Sequence, residues 1–337
     1  MLSIGIIGAG RIGKVHAESI TYHVKNAKVV AMADPFMSDE TEKWAKDLGV
    51  AKCCKDYHEI LDDPSIDAVM ICSSTQTHAP ISIEAIRAGK HVFCEKPISQ
   101  DLTQIKEVME VLATSKVKYQ VGFNRRFDHN FRAVRDAVTA GKIGDVHIVK
   151  ITSRDPGAPP IEYVKVSGGM FLDMTIHDFD MVRFLTGSDV EEIYVNAAVL
   201  IDPEIGAAGD VDTAIISMKL KNGALAVIDN SRKAEYGYDQ RAEVFGSKGQ
   251  VQMTNDALST AVVSNAEGVT GEKPLFFFLE RYMVSFSNEM NQFVDAVLND
   301  KEVPVTVNDG LQAVLIGVAA GKSVREKRPV KLSEIIF

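Results

Sequence analysis

An acidic residue and a histidine recur at helical spacing in the stretch Gly168–Leu185. Asp173 and His177 are four residues apart, and Asp180 follows three residues later. On one continuous helix these three side chains share a face, and the apolar residues around them predict that the helix is mostly buried. Imidazole titrates near neutral pH and takes a proton from an alcohol when a carboxylate orients it. The spacing therefore predicts an acid–base pair.

Two other interpretations of these residues are open. A hydrogen-bonded polar seam is common around a single buried histidine. A metal site is disfavoured, because the stretch has one histidine and no cysteine or second histidine spaced to complete a set of ligands. No metal is therefore expected. The choice between seam and catalysis depends on whether the chain binds a cofactor whose chemistry needs a base.

A glycine-rich turn near the N-terminus predicts such a cofactor. Gly8, Gly10 and Gly13 form G-x-G-x-x-G directly after a short apolar run and at the start of helical spacing. One glycine makes the turn, one lets the backbone approach a pyrophosphate, and one lets helix and strand pack closely. The helix N-terminus then offers N–H groups to the anion, which adds Ala9, Arg11 and Ile12 to the predicted cofactor site. A tight strand–helix turn without a ligand is the alternative.

Asp34, at the end of the second predicted strand, strengthens the dinucleotide interpretation. A carboxylate at this place accepts hydrogen bonds from both ribose hydroxyls and repels a 2′-phosphate, so the sequence predicts NAD rather than NADP. The alternative is a turn-forming aspartate before Pro35. Loss of a hydride from a carbinol carbon to NAD requires that the hydroxyl proton leave as well. This need for a base favours the catalytic interpretation of His177.

A loop at Cys72–Pro80 follows the next predicted strand of the same sheet. Ligands bind at the carboxyl ends of strands in such sheets. The hydroxyls of this loop are predicted to bind ribose or phosphate, and its histidine is predicted to lie near the nicotinamide. The residues concerned are Ser73, Ser74, Thr75 and His78. Helix capping by Thr77 is the alternative.

A second loop, Phe93–Ser99, carries a lysine after another apolar strand. Pro97 biases Lys96 toward extended geometry, so its ammonium is aimed from a strand end, beside Glu95. Glu95 and Lys96 are both predicted to contact the cofactor. Lys96 is also predicted to stabilise a developing alkoxide or to take part in the proton relay. The alternative for a lone lysine is a solvated charge at the surface.

Alternating strands and helices over residues 1–123 must position the cofactor groups. Short β-rich runs separated by helices imply parallel strands with crossover helices, so the fold class is α/β with a doubly wound Rossmann sheet. The predicted strands are Leu2–Ile7, Lys28–Ala33, Asp67–Cys72, His91–Cys94 and Tyr119–Phe123. We expect this NAD-binding domain to end at residue 123.

Residues 124–337 are predicted to form an α+β domain for substrate binding and oligomerisation. Six strand-like runs lie between residues 145 and 253, and Asn222-Gly223 is a strong hairpin signal, which predicts a large, mainly antiparallel, open-faced sheet. Two helices are predicted near residues 280–298 and 309–325. The segment Pro156–Gly169, rich in proline and glycine, is predicted to be a loop and a candidate lid or subunit arm.

Composition excludes several classes of function. A formal net charge of −9 disfavours nucleic acid as a partner, because phosphate binding needs a cationic face. No window approaches ~18 uninterrupted apolar residues, and the N-terminus lacks a basic-then-apolar leader, so we expect neither a membrane span nor export. The four cysteines lie in the first third of the chain. This pattern predicts reduced thiols and a cytoplasmic enzyme.

Four motifs resemble those of a known family. GAGRIG, CEKP, GFNRRFD and DMTIHDFD, in this order and spacing, resemble the glucose–fructose oxidoreductase/inositol dehydrogenase (Gfo/Idh/MocA) family across essentially the whole chain. Ser153–Met181 and Tyr236–Gly249 look like its inositol dehydrogenase subgroup. Many members have glycine two residues after the motif aspartate, where this chain has Thr175. Threonine is common there in the inositol-type motif, so it supports the subgroup.

The resemblance implies an activity and its catalytic residues. It implies NAD, an inositol substrate oxidised to a ketoinositol, and a homotetramer built through the C-terminal sheets. Lys96 of the E-K-P motif would be catalytic, with Asp173 as the orienting acid and His177 as the base. Scyllo-inositol or an aldose is an alternative substrate. A catalytically silent NAD-binding regulator is an alternative function, disfavoured because it has no use for these three residues.

The resemblance also implies substrate-binding residues. A cyclitol carries a hydroxyl on every carbon, so its pocket needs many fixed donors and acceptors. Arg125, Asp155 and Tyr236 match positions that line the substrate pocket in inositol dehydrogenases. Each has a structural alternative. Arg125 would pair with Asp128, Asp155 would be a turn residue, and Tyr236 would pack at a sheet edge.

Overall fold

The structure is a computed structural model that describes residues 1–336. The chain forms two compact units. The first contains residues 1–127 and 283–314, and the second contains residues 128–282 and 315–336. This division differs from the single boundary predicted after residue 123, because a late part of the chain returns to the first unit.

The first unit is built on a six-stranded parallel sheet. Its strand order is β3-β2-β1-β4-β5-β6, so the sheet is doubly wound as predicted, and β3 joins the five strands that the sequence predicted. The elements in chain order are β1 (Leu2–Ile7), α1 (Arg11–His23), β2 (Ala27–Ala33), α2 (Asp39–Asp47), β3 (Lys52–Cys54), α3 (His58–Leu61), β4 (Ala68–Ile71), α4 (Thr75–Arg87), β5 (His91–Glu95), α5 (Leu102–Ala113) and β6 (Tyr119–Gly122). A 3₁₀ turn over Asn124–Phe127 follows.

The second unit is built on a seven-stranded sheet of order β12-β11-β7-β10-β9-β8-β15. Its elements up to residue 282 are α6 (His129–Thr139), β7 (Val146–Arg154), α7 (Ile161–Ser167), α8 (Gly169–Asp173), α9 (Ile176–Thr186), β8 (Val190–Ala198), α10 (Pro203–Ala207), β9 (Thr213–Leu220), β10 (Leu225–Ser231), β11 (Asp239–Gly246), β12 (Gly249–Met253), β13 (Val262–Asn265), β14 (Gly268–Gly271) and α11 (Phe278–Arg281). The remaining elements are α12 (Met283–Leu298) in the first unit, α13 (Val307–Glu326), which runs from the first unit into the second, and β15 (Val330–Lys331) in the second.

The seven-stranded sheet is mainly antiparallel, as predicted. Only β7 and β10 pair in parallel, and the hairpins β9–β10 and β11–β12 form at the predicted turns. Buried side chains alternate with more exposed ones along β9 and β10, and one face of the sheet packs on the apolar core beneath α6, α9 and the second half of α13. The other face stays exposed. The parallel pair brings the carboxyl ends of β7 and β10 to the same edge of the sheet.

The core of the first unit contains residues from both ends of the chain. Strands β1 and β4 are almost entirely buried, as expected for parallel strands covered on both faces. Helix α12 packs against α1, and its buried residues Met290, Phe293 and Val294 join the same apolar cluster as β1 and β2. The Rossmann sheet is therefore covered on one side by a helix made late in the chain.

Two predicted elements differ in the structure. The stretch predicted as one buried helix is broken between α8 and α9, at Met174 and Thr175. The segment Pro156–Gly169, predicted as a loop, contains helix α7, which ends at Gly168 with φ +87°. Glycine tolerates this left-handed conformation and ends the short helix.

Candidate active site

The glycine turn of the first unit has the geometry of a dinucleotide cradle. Gly8 ends β1 with φ +103°, and a Cβ there would lie 2.5 Å from the carbonyl carbon of Cys72. A Cβ on Gly13 would overlap the carbonyl oxygen of Gly8. A Cβ on Gly10 would meet no heavy atom within 4 Å. Two glycines are thus required for packing, and the third leaves the open space that a pyrophosphate needs.

Asp34 lies directly beside this turn. The Ala9 N–H donates to Oδ2 of Asp34 at 2.7 Å, and the Phe36 N–H donates to Oδ1 at 2.8 Å. Each carboxylate oxygen keeps a second lone pair, so each has capacity for a ribose hydroxyl. The residues present therefore fit NAD, with the turn residues Arg11 and Ile12 at the open N-terminus of α1.

The loop after β4 starts its helix earlier than predicted. Helix α4 begins at Thr75, with Ser74 as the N-cap residue, so Thr77 lies inside the helix and is not the cap. The Thr77 hydroxyl donates to the Ser74 carbonyl oxygen at 2.8 Å and lies 2.7 Å from the Ser73 hydroxyl. This places Ser73, Ser74 and Thr75 at a helix N-terminus, next to the carboxyl end of a central strand.

His78 fastens this loop to the next one. Its Nδ1 lies 2.8 Å from the Pro97 carbonyl oxygen and its Nε2 lies 3.0 Å from the Ser73 carbonyl oxygen. Carbonyl oxygens only accept, so both ring nitrogens donate and the ring is an imidazolium. Burial lowers the pKa of His78, but the Cys94 sulfur and the two carbonyls outweigh it and raise the pKa to about 9. The ring nitrogens thus bind backbone, and the predicted contact of His78 with the cofactor stays a prediction.

Glu95 ends β5, and Lys96 follows it at the same edge of the sheet. Glu95 Oε1 lies 2.7 Å from Nε2 of the buried His16, and its Oε2 accepts the Lys96 N–H at 3.3 Å. A Cβ on Gly122 would lie 3.0 Å from the Glu95 carboxyl group, so that glycine makes room for it. Lys96 itself is half-buried and precedes a cis peptide bond to Pro97. The buried Glu95 carboxylate therefore anchors the strand end that presents the lysine.

Arg125 lies in the 3₁₀ turn that follows β6 and is 3% exposed. Asp128, its predicted alternative partner, caps α6 through the Asn130 and Phe131 N–H groups and binds Arg281 at 2.6 Å.

The residues predicted to form the acid–base pair lie on two consecutive helices of the second unit. The prediction that Asp173, His177 and Asp180 share one face of a continuous helix is wrong, because Asp173 ends α8 and His177 is the second residue of α9. His177 is half-buried, whereas Asp180 is fully buried within α9. The break brings the C-terminus of α8 at Asp173 close in the chain to the N-terminus of α9 at His177.

A buried polar network fixes this break on the sheet. The Thr175 hydroxyl donates to Oδ1 of Asn230 at 2.7 Å. The Asn230 amide donates to Oδ2 of Asp178 at 3.0 Å and to the Ser153 carbonyl oxygen at 3.2 Å. These four residues are buried. Thr175 thus has a structural use that glycine could not serve, and the network links the start of α9 to β7 and β10.

Two residues that the sequence did not single out contact Asp173. The Tyr163 hydroxyl donates to Oδ1 at 2.9 Å, and Nη1 of Arg232 lies 3.7 Å from Oδ2. Arg232 directly follows β10, and its main-chain neighbour Ser231 accepts the Asp155 N–H at 2.9 Å. The carboxyl ends of β7 and β10 therefore bring Asp155 and Asp173 to one edge of the sheet.

Tyr236 belongs to a charged cluster at this edge. Its hydroxyl donates to Oδ2 of Asp239 at 2.5 Å and accepts from Nη1 of Arg154 at 3.1 Å. Burial and the Asp239 carboxylate raise the pKa of Tyr236, although Arg154 lowers it. The tyrosine is 41% exposed, and its hydroxyl contacts Arg154, the residue before Asp155.

Within residues 1–336, no cluster of three or more His, Cys, Asp or Glu side chains is arranged to hold a metal ion. The four cysteines are free thiols. No helix in the described part of the chain has the length and apolar character needed to span a membrane.

Comparison with known proteins places both parts of the chain in one family. Residues 2–123 match an oxidoreductase family with an NAD-binding Rossmann fold, and residues 131–252 match the GFO/IDH/MocA C-terminal domain. The chain belongs to the Gfo/Idh/MocA oxidoreductase family. Its first unit is thus the family's NAD-binding Rossmann domain, and the predicted resemblance is confirmed.

Full-length relatives within Gfo/Idh/MocA share the fold closely. The myo-inositol 2-dehydrogenase of Thermotoga maritima is 49% identical over 335 residues, which cover 99% of this chain and 100% of that protein. The inositol 2-dehydrogenase of Rhizobium meliloti is 45% identical over 329 residues, 98% of each chain.

Solved structures give the same result. The crystal structure of a probable dehydrogenase from Thermotoga maritima superposes with a TM-score of 0.97 at 49% identity, over 99% of this chain and 100% of that chain. The scyllo-inositol dehydrogenase of Lactobacillus casei with bound NAD(H) and scyllo-inositol superposes with a TM-score of 0.92 at 33% identity, over 99% of each chain.

Proposed function

We propose that the protein oxidises myo-inositol to 2-keto-myo-inositol (scyllo-inosose) with NAD, as a step of inositol catabolism. The observation that carries the proposal is the presence, in one chain, of Asp34 beside an open glycine cradle and of the Asp173 and His177 pair at a helix break. The two inositol 2-dehydrogenases that match over the full length supply the substrate class.

The proposed roles follow from the chemistry of each group. The glycine turn, Asp34 and the Ser73–Thr75 loop hold NAD, which accepts a hydride when bound. His177 takes the proton of the reacting hydroxyl, and Asp173 orients the ring and stabilises its charged form. The Lys96 ammonium stabilises the developing alkoxide or takes part in the proton relay.

Substrate hydroxyls other than the reacting one need their own partners. We assign this role to Arg125, Asp155 and Tyr236, whose side chains offer a guanidinium, a carboxylate and a phenol. The exposure of Tyr236 and its hydrogen bond to Arg154, the residue before Asp155, support the assignment for these two. Alanine at each position is expected to raise KM for inositol more than it lowers kcat.

A substrate panel tests the proposal. NADH formation is measured by absorbance with myo-inositol, scyllo-inositol and glucose at equal concentrations. The highest kcat/KM with myo-inositol supports the proposal. The Lactobacillus casei relative favours scyllo-inositol as the second candidate, and a reversed ratio would select it. Binding of NAD without turnover of any polyol would instead identify a regulator.

Variants of the catalytic residues test the roles. Lys96→Ala and His177→Ala should each lower kcat by about two to four orders of magnitude, while the Kd for NAD changes little because both groups act on the transition state. If the two groups serve one hydroxyl, the double variant should lose much less than the product of the single losses. The exposed residues Lys106 and His147 provide matched alanine controls. Loss of NAD binding in Lys96→Ala would contradict the assignment.

We also propose that the exposed face of the seven-stranded sheet forms the interface of a homotetramer. Phe245, Ile148 and Leu225 stand in one cross-strand row, and Ile215 is exposed on the same face. Such an apolar patch on a sheet face marks an association site. Leu225→Glu should shift the mass measured by light scattering from tetramer to a smaller species, whereas a wild-type monomer would refute the interface. The cytoplasmic location stays a prediction.

A further inference from the structure

The Asp173 carboxylate is held on both of its oxygens by residues from different parts of the second unit. Oδ1 accepts from the Tyr163 hydroxyl on α7, and Oδ2 faces the Arg232 guanidinium after β10. A hydrogen bond on one oxygen and an ion pair on the other restrict the rotation of this side chain. Residues of the second unit therefore help to orient the carboxylate.

Arg232 also holds the other end of the same helix. It is 1% exposed, and its Nη2 lies 3.5 Å from Oδ2 of Asp210. Asp210 in turn accepts the Met170 N–H at 3.0 Å in the first turn of α8. One buried guanidinium thus faces the carboxylates at the beginning and at the end of α8, the helix that carries Asp173.

Tyr163 is placed differently, because it is 48% exposed. The residue lies at the surface, and its hydroxyl donates to Asp173 at an exposed place. Removal of that oxygen leaves no buried cavity, so Tyr163→Phe should fold normally. The residue therefore offers a clean way to remove one of the two contacts.

We infer that Tyr163 and Arg232 are positioning residues that set the orientation and the charge of Asp173 toward His177. The inference rests on the proposed function, in which Asp173 stabilises the charged form of that ring. A hydrogen-bond donor and a cation on the carboxylate spread its negative charge, so it attracts an imidazolium less strongly. The groups that face Asp173 include Tyr163 from α7, Arg232 after β10 with Asp210 behind it, and, by the proposed role, His177 from α9.

Tyr163→Phe is the decisive variant, and Tyr194→Phe is its matched control. Tyr194 lies in the same unit, and its hydroxyl donates to Asn196 at 3.3 Å, on β8. Loss of the donor on Asp173 should raise the pKa of His177, so the acid limb of the kcat/KM profile should move up by about half a pH unit. The kcat should fall about tenfold with KM within threefold, because orientation acts on the transition state. Tyr194→Phe should change neither quantity.

A second readout does not need turnover. The pKa of His177 is measured by NMR titration of ¹⁵N-labelled histidine, assigned through His177→Asn. It should be higher in Tyr163→Phe than in the wild type and in Tyr194→Phe. Arg232→Gln should raise it as well, whereas Arg232→Lys, which keeps the cation, should raise it less.

The two proposals fail separately. If the wild type oxidises no polyol but the titration shows the expected increase, the proposed function fails and the positioning role stands. If inositol is oxidised and Tyr163→Phe matches Tyr194→Phe in both the titration and the pH profile, the positioning role is overturned. Should Arg232→Gln not fold, Tyr163→Phe alone decides the outcome.

Discussion

Replacement of Asp34 by serine should reverse much of the preference for NAD over NADP. Both carboxylate oxygens of Asp34 already accept one backbone N–H each, at 2.7 and 2.8 Å, so the group is fixed beside the glycine turn. A serine hydroxyl replaces at most one of these acceptors. The variant therefore loses acceptors for the ribose and the negative charge that opposes a 2′-phosphate.

The magnitude follows from these two losses. Hydrogen bonds to a charged group contribute about 1.5–3 kcal/mol, so the Kd for NAD should rise about 10- to 100-fold. Repulsion between two unit charges 4 Å apart is about 4 kcal/mol at an effective dielectric constant of ~20. Asp34 is partly exposed, and solvent and salt reduce that figure to about 1–2 kcal/mol. NADP should thus bind about tenfold more tightly, and the ratio of the two Kd values should change by about two to three orders of magnitude.

Fluorescence titration with NADH and NADPH measures both Kd values directly. Asp67→Ser is the control, because Asp67 also accepts a backbone N–H, from Ser3 at 2.8 Å, but precedes β4 at the amino edge of the sheet. The control should keep the wild-type ratio. An unchanged ratio in Asp34→Ser would remove Asp34 from the ribose contact and refute the reasoning.

Two further predictions concern the first unit. A methyl group on Gly13 overlaps the Gly8 carbonyl, whereas one on Gly10 meets open space. Gly13→Ala should therefore lower the Tm by several degrees. Gly10→Ala should keep the Tm but weaken NADH binding in a fluorescence titration. Equal Tm values would contradict the packing role. The Glu289 carboxyl is fully buried, and within residues 1–336 its oxygens have no hydrogen-bond partner. Burial, and to a smaller extent the charge of Glu95, raise the pKa of Glu289 well above the usual range. Because the folded state keeps a proton that the unfolded state releases, stability falls by about 1.4 kcal/mol per pH unit above about pH 4.3 until the folded pKa is reached. Glu289→Gln should remove this decrease, so its urea midpoint should fall less between pH 5 and pH 8 than that of the wild type; equal decreases would count against a neutral Glu289.

Local sequence signals predicted the Rossmann sheet well. The glycine turn and Asp34 can be recognised within short, neighbouring segments of the chain. The short length of each apolar run indicates a strand. The hairpin at Asn222-Gly223 was also predicted from a local signal, because an Asn-Gly pair favours a tight turn between two strands. These elements form where they were predicted because no distant contact has to override them.

The break between α8 and α9 had no local signal. The residues at the break are Met174 and Thr175, and neither is a glycine or a proline. The helical spacing therefore continues through them in the sequence. The break is held by the hydrogen bond from Thr175 to Asn230, which lies on β10. A residue pair that far apart in the chain leaves no periodicity to detect, and for the same reason Arg232 was missed as a partner of Asp173. Tyr163 was missed because it lies on α7, in a segment that was predicted as a loop.

Helix α12 has a consequence for how this protein is made. Met290, Phe293 and Val294 complete the apolar core of the first unit, yet the ribosome adds them only after the whole seven-stranded sheet except β15 has been synthesised. A nascent chain that has reached Gly122 holds all six parallel strands while the surface of α1 that α12 will cover is still open to water. Translation therefore leaves the Rossmann unit unfinished for most of its duration, and this apolar surface is where chaperones should bind.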